Sequence, residues 1–468
     1  MARLARPVAP GAGPAAAVAA PPPPGEPGPN PWPALLREVS AGHPWLDRGV
    51  VLAFAAFAGL AVVGFTYLSE LATHAHAGLR QAADWAPLAL LLWTPALTVL
   101  VLWWMRRFAP GSFGSGIPQV MRAVEDDVAP GQRRWLVSPA LSLHKIGLVS
   151  AGLLAGLSIG REGPTVQVGA GIMVAARRWL SPRSRIDEHD LMVAGAAAGI
   201  AAAFNTPLGG IVFGLEQLTR RRGLQHSTLA IAAIVLAGLV AVAFFGNATY
   251  FGRLRVQTLG WSLLAPGLLV ALASGLAGGL FARLMVISAQ NLPGRLGRWR
   301  VGHPYRFAAG CALAVALIGL VTAGQTSGAG YAPTRGLLEG QADLPGVYTV
   351  LKFCATWLSA WTGVPAGVFA PSLAIGAGIG HDVATLADVG REAAIPLIAL
   401  GMAGFLAATT QAPITSFIIV MEMVSGQAMV LSLMACTMVA AGVSRLVSPP
   451  MYDGLAAALP VPPAGPLK

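Results

Sequence analysis

The sequence predicts an all-α protein that crosses a membrane many times, and three observations carry that prediction. Only 11% of its 468 residues are charged, while 55% are hydrophobic. An ordinary soluble domain carries about 25% charge, and a soluble fold with so much less could not cover its surface. The apolar residues also fall in long blocks, among them 50–68, 86–104 and 191–215. Each is close to the ~20 residues that a helix needs to span the hydrocarbon core, and roughly ten to twelve such blocks are present. Finally, 57 Gly and 36 Pro interrupt these blocks. Broken helices at membrane depth are tolerated only where the freed backbone is buried in protein or lines a cavity, so repeated breaks point to a transport pathway, whereas any single break is equally well a bend in a structural helix.

Residues 1–33 are rich in Ala, Pro and Gly, with Pro21 to Pro24 consecutive, and are expected to be a disordered tail. Without an apolar run they do not form a secretory signal. A membrane domain is expected over 34–454 and a short tail over 455–468, too small for a soluble C-terminal nucleotide-sensing module. The formal charge of +11 is not a nucleic-acid signal. The basic residues sit in short connections (Arg106 and Arg107, 177–185, 220–222, 295–306) of the kind retained on the cytoplasmic side. Cys311, Cys354 and Cys436 lie far apart in apolar blocks and read as packing residues. His74 and His76 have no third metal ligand nearby and are expected in a wet loop after the first span; no metal is predicted.

An internal repeat organises the chain. Laid over 367–379, residues 160–172 match at six of thirteen positions, at an offset of 207. Residues 195–216 lie over 401–422 at an offset of 206, aligning Pro207 with Pro413 and Glu216 with Glu422. The protein is therefore two related halves, roughly 50–250 and 260–450. Transporters built this way place the substrate where broken helices of the two halves meet. The repeat alone leaves open whether the halves are parallel or inverted.

Three Gly/Pro segments carry the chemistry: Gly114-Ser115-Gly116-Ile117-Pro118, Gly160-Arg161-Glu162-Gly163-Pro164 and Gly367-Val368-Phe369-Ala370-Pro371. Gly supplies unusual backbone angles and Pro suits a first helical turn, so each segment reads as the start of a half-helix. Such starts expose unpaired N–H groups and the positive end of the dipole, an anion site without a full positive charge. Conduction needs binding of that kind, favourable yet weak.

Taken together and in order, these segments resemble the chloride-binding signatures of the CLC family of chloride channels and chloride/proton antiporters. Lys145, the stretches 195–216 and 401–422, and Tyr452 stand in similar contexts, so the resemblance covers about 106–454. It implies the CLC fold, a homodimer in the cell membrane with one anion pore per subunit, two inverted halves of tilted and broken helices, and both termini cytoplasmic. It also implies roles. Ser115 and Tyr452 would donate hydroxyls to a central anion, joined by the backbone N–H groups of Val368 and Phe369. Gly116, Ile117, Pro118, Arg161 and Gly163 would frame the pathway. Helix capping by Ser115 and interfacial anchoring by Tyr452 are the plainer alternatives. Glu162, a carboxylate in an apolar segment, matches the family's gate and outer proton acceptor; an ion pair with Arg161 is its alternative. Lys145 would raise the potential along the pathway or, more plainly, reach the interface.

One position departs from the family's exchangers. The residue after Glu216 is usually a second, inner glutamate; here it is Gln217, and an amide cannot carry a proton through titration. The expectation is therefore channel-like or weakly coupled transport of chloride and similar small anions through a pore gated by Glu162. The alternative is a chloride/proton antiporter with a non-standard inner route. Glu216 and Glu422, as repeat partners, read as structural. Ser115 argues against the fluoride-exporting branch. An embedded enzyme would need clustered nucleophiles, acids or metal ligands, and a cation carrier would need an acid-lined path; neither pattern occurs. Chloride is cargo, and no cofactor is expected.

Overall fold

The computed structural model describes residues 42–184, 186–219, 227–246, 249–252, 260–290, 294–341 and 344–460. The N-terminal tail, Arg185, the basic run 220–222 and the last eight residues of the C-terminal tail lie outside them. The described residues from 46 onward form one compact unit. Its regular structure is helical apart from isolated bridges. In chain order the helices are α1 (Gly42–Gln81), α2 (Ala86–Phe108), α3 (Ile117–Ala123), α4 (Pro130–Leu136), α5 (Pro139–Leu154), α6 (Glu162–Ala175), α7 (Glu188–Phe204), α8 (Pro207–Phe213) and α9 (Ser227–Phe245). The second half follows with α10 (Leu264–Ala289), α11 (Arg295–Gly302), α12 (Pro304–Val321), α13 (Tyr331–Leu338), α14 (Tyr348–Trp361), α15 (Phe369–Leu386), α16 (Arg391–Thr410), α17 (Pro413–Met423), α18 (Val430–Val447) and α19 (Met451–Ala457).

Eight helical segments among the described residues are long and apolar enough to cross a bilayer, fewer than the block count suggests. The difference has a local cause. The block 191–215 is not one helix: α7 stops at Asn205, which takes the left-handed conformation at φ 57°, and Pro207 opens α8. Asn tolerates that conformation, and Pro starts a helix without a lost donor. The second half repeats the device with Gln411 at φ 53° and Pro413. His74 and His76 are likewise not in a loop; both lie on α1, and His76 is buried with Nδ1 3.2 Å from the Leu154 carbonyl.

The repeat is visible in the packing. α6 crosses α7 where a Cβ on Gly169 would overlap the Gly195 carbonyl, and α15 crosses α16 where a Cβ on Gly376 would overlap that of Gly401. Glycine at such a crossing lets two backbones touch. The two halves also make reciprocal contacts. Gly160 N–H donates to the Gly367 carbonyl at 2.7 Å, and Gly367 N–H returns a bond to Gly160 at 3.0 Å. The Glu216 carboxylate accepts from Ile414 and Thr415 N–H at 3.2 and 2.7 Å, while Glu422 accepts from Leu208 and Gly209 N–H at 3.2 and 2.7 Å. Contacts in which i meets j and j meets i mark a two-fold relation, as inverted repeats require. Each carboxylate caps the first turn of the other half's helix, so both are structural, as expected.

Candidate functional site

The three Gly/Pro segments start helices and lie together. Gly116 caps α3, Arg161 caps α6 and Val368 caps α15. The Gly114 carbonyl accepts from Ala366 N–H at 3.1 Å, and the Gly160–Gly367 pair joins the other two loops. Gly114 and Gly116 have φ of 60° and 100°, conformations that residues with a Cβ rarely take. A side chain on Gly163 would overlap Ser115 Oγ, and one on Gly116 would sit 2.9 Å from the Gly163 carbonyl. The helix starts thus converge at van der Waals distance, their first amides without carbonyl partners inside the helix.

Buried polar groups gather there. Glu162 is 1% exposed, and neither carboxylate oxygen has a hydrogen bond of normal geometry. Its carboxylate lies beside Gly160, close to Pro371 and the Ala370 side chain, with the amides of Arg161, Glu162 and Ala370 nearest. It therefore rests between the positive ends of α6 and α15. Arg161 does not bond to it. Its guanidinium reaches Glu70 Oε1 at 3.3 Å and the Thr66 carbonyl at 3.4 Å. Ser115 Oγ is buried without a partner, as is the Tyr452 hydroxyl. The two approach one another without closing a bond, since α19 packs on α3. Tyr452 is 1% exposed and is not an interfacial anchor, and Ser115 does not cap α3 with its side chain. Native proteins rarely leave buried polar atoms unpaired without a reason; a group of them facing helix starts is what a small anion would satisfy. Val368, Phe369, Ile117 and Pro118 are all buried around these starts.

Lys145 is fully buried and does not reach the interface. Its Nζ donates to the carbonyls of Ser112 and Gly114, both at 2.7 Å, holding the loop that carries Ser115. The second half has a counterpart. Lys352, 207 residues on, is equally buried and donates to the carbonyls of Thr326 and Gly328 at 2.9 and 2.8 Å. Gly328 and Gly330 there repeat the positive φ of Gly114 and Gly116. Gln217 lies in a π-helical turn that extends α8, closed by Thr219 N–H on the Gly214 carbonyl at 3.1 Å. It is buried, and its amide donates to the Thr410 carbonyl at 3.4 Å. Turns of this kind often mark functional positions.

Comparison with known proteins identifies the family. The voltage gated chloride channel family profile matches residues 97–445. The H(+)/Cl(-) exchange transporter ClcA of Vibrio parahaemolyticus is 30% identical over 380 residues, 79% of each chain. That of Citrobacter koseri is 31% identical over 373 residues, 75% of each. Among solved structures, a slow cyanobacterial Cl−/H+ antiporter matches with a TM-score of 0.73 at 22% identity, over 88% of this chain and 97% of its own. A CLC-type fluoride/proton antiporter matches with 0.70 at 23% identity, over 87% and 97%. These likenesses show the fold. With a profile match over most of its length, the chain belongs to the voltage-gated chloride channel (CLC) family of anion transport proteins.

Proposed function

We propose that this protein exchanges chloride for protons, with Glu162 as the gate. One observation carries the reading: the Glu162 carboxylate lies between the starts of α6 and α15, where an anion would sit, with no cation bonded to it. Ionised, it blocks the site as a tethered anion. A proton neutralises it, the attraction of the helix starts is lost, and chloride takes the place. Ser115 Oγ, the Tyr452 hydroxyl and the amides of Val368 and Phe369 hold that chloride; Lys145 fixes the Ser115 loop and adds positive potential. None of these donors but Lys145 is charged, so the ion leaves readily. The relatives' description as exchange transporters favours proton coupling. The chain works in a membrane, as a homodimer with both termini cytoplasmic.

A second reading, uncoupled anion flux, is favoured by Gln217, which cannot titrate. Reconstitution in liposomes under a pH gradient separates the two. A reversal potential that moves with the proton gradient supports exchange, and one that follows chloride alone supports a channel. Glu162→Gln is expected to give steady anion flux insensitive to pH under either reading; a dead or unchanged protein removes the gate.

A further inference from the structure

When Glu162 leaves the helix starts, its carboxyl needs a polar partner in a surrounding of apolar side chains, because a buried unpaired polar group is costly. Arg161 is engaged by Glu70 and Thr66, and a guanidinium would favour an ionised carboxylate over the neutral acid. Tyr250 is the other candidate. Its ring stands edge-on to Phe204 at 5.5 Å, and Phe204 packs on Phe369 of the α15 start at 5.3 Å. The segment is fixed from two sides. Phe251 N–H donates to the Met423 carbonyl at 3.0 Å, and the Tyr331 hydroxyl donates to the Tyr250 carbonyl at 2.9 Å. Tyr331 also meets the Tyr250 ring edge-on at 5.1 Å. The Tyr250 phenol lies within electrostatic reach of Arg161, Glu162, Glu70 and Tyr331.

We infer that the Tyr250 hydroxyl receives the protonated Glu162 carboxyl when the gate opens, making Tyr250 a positioning residue of the gate. The inference rests on Glu162 being that gate. A phenol suits the task because it bonds a neutral acid without retaining an ionised one. The sign follows from the proton. The outward form carries it, so a partner for that form raises the pH at which the gate opens, and its removal lowers it. The charged and titratable groups facing this pair are Arg161, Glu70, Tyr331 and, beside Glu162, Tyr452.

The test is Tyr250→Phe, which keeps the packed ring, in the full-length protein reconstituted in liposomes with chloride flux followed against pH. Loss of one neutral hydrogen bond is expected to change the opening equilibrium about threefold or more, moving the flux midpoint down by about half a pH unit or more. In a Glu162→Gln background the same substitution is expected to do nothing. An unmoved midpoint overturns the inference. So does an equal loss of flux with and without the Glu162 carboxyl, which would make Tyr250 a packing residue. If Glu162→Gln alone keeps the wild-type pH profile, the gate reading fails, and the role of Tyr250 fails with it.

Discussion

Gly160→Ala tests whether the position of the Glu162 carboxylate controls access. A Cβ at residue 160 would overlap Glu162 Oε2, lie 3.0 Å from Pro371 Cδ and 3.4 Å from Ala370 Cβ. The last two contacts are tight but yield by a few tenths of an ångström. The first does not: the carboxylate must retreat by about 1 Å to restore ordinary contact near 3.5 Å. The carboxylate is the free end of a flexible side chain, so it moves before the backbone does, and the Gly160–Gly367 bonds use backbone atoms that alanine retains. An overpacked site of this kind costs about 1–3 kcal/mol, and here that cost falls on the closed gate. At 1.36 kcal/mol per pH unit, the gate should open about one to two units higher in pH. Chloride efflux from liposomes near neutral pH should approach that of Glu162→Gln, while thermal stability falls little. A Gly160→Ala protein with the wild-type pH profile would show that the carboxylate does not close the pathway from this position.

Gln217→Glu is expected to increase proton movement coupled to chloride, measured as proton uptake driven by a chloride gradient; no increase would place residue 217 off the proton route. Lys352→Met should lower the thermal midpoint in detergent, because the Thr326 and Gly328 carbonyls lose their donor at about 1–3 kcal/mol. Glu422→Gln should destabilise by about 1–2 kcal/mol, since two amides lose a charged acceptor. Glu216→Gln should cost a similar amount, because its carboxylate accepts from Ile414 and Thr415 N–H in the same way. Clearly unequal losses in the two would refute that equivalence.

The helix starts and the repeat were legible because they rest on short-range chemistry, glycine angles and proline at first turns. Glu216 and Glu422 stood out as a pair, but their capping did not: the amides they accept from lie about 200 residues away in the other half. Lys352 follows from Lys145 by the offset of 207. It was missed because the loop it holds, with Gly328 and Gly330, sits at an offset of 214 from Gly114 and Gly116, which hides the alignment. Glu70 and Tyr250 have no local signal, since their places beside Arg161 and Phe204 come from folding of distant segments. Tyr452 stood out only through the family resemblance; its burial against α3 is a tertiary fact.

The exchanged carboxylates have a consequence for how such a chain arises. Translated alone, a single half would leave the first amides of its own α8 or α17 uncapped and its glutamate with no amide to accept from. Both defects vanish when a second copy arrives turned about the two-fold axis, each lending its acid to the other. Pairing would thus have stabilised a half-length ancestor, and joining two copies in one polypeptide makes that stabilisation independent of concentration.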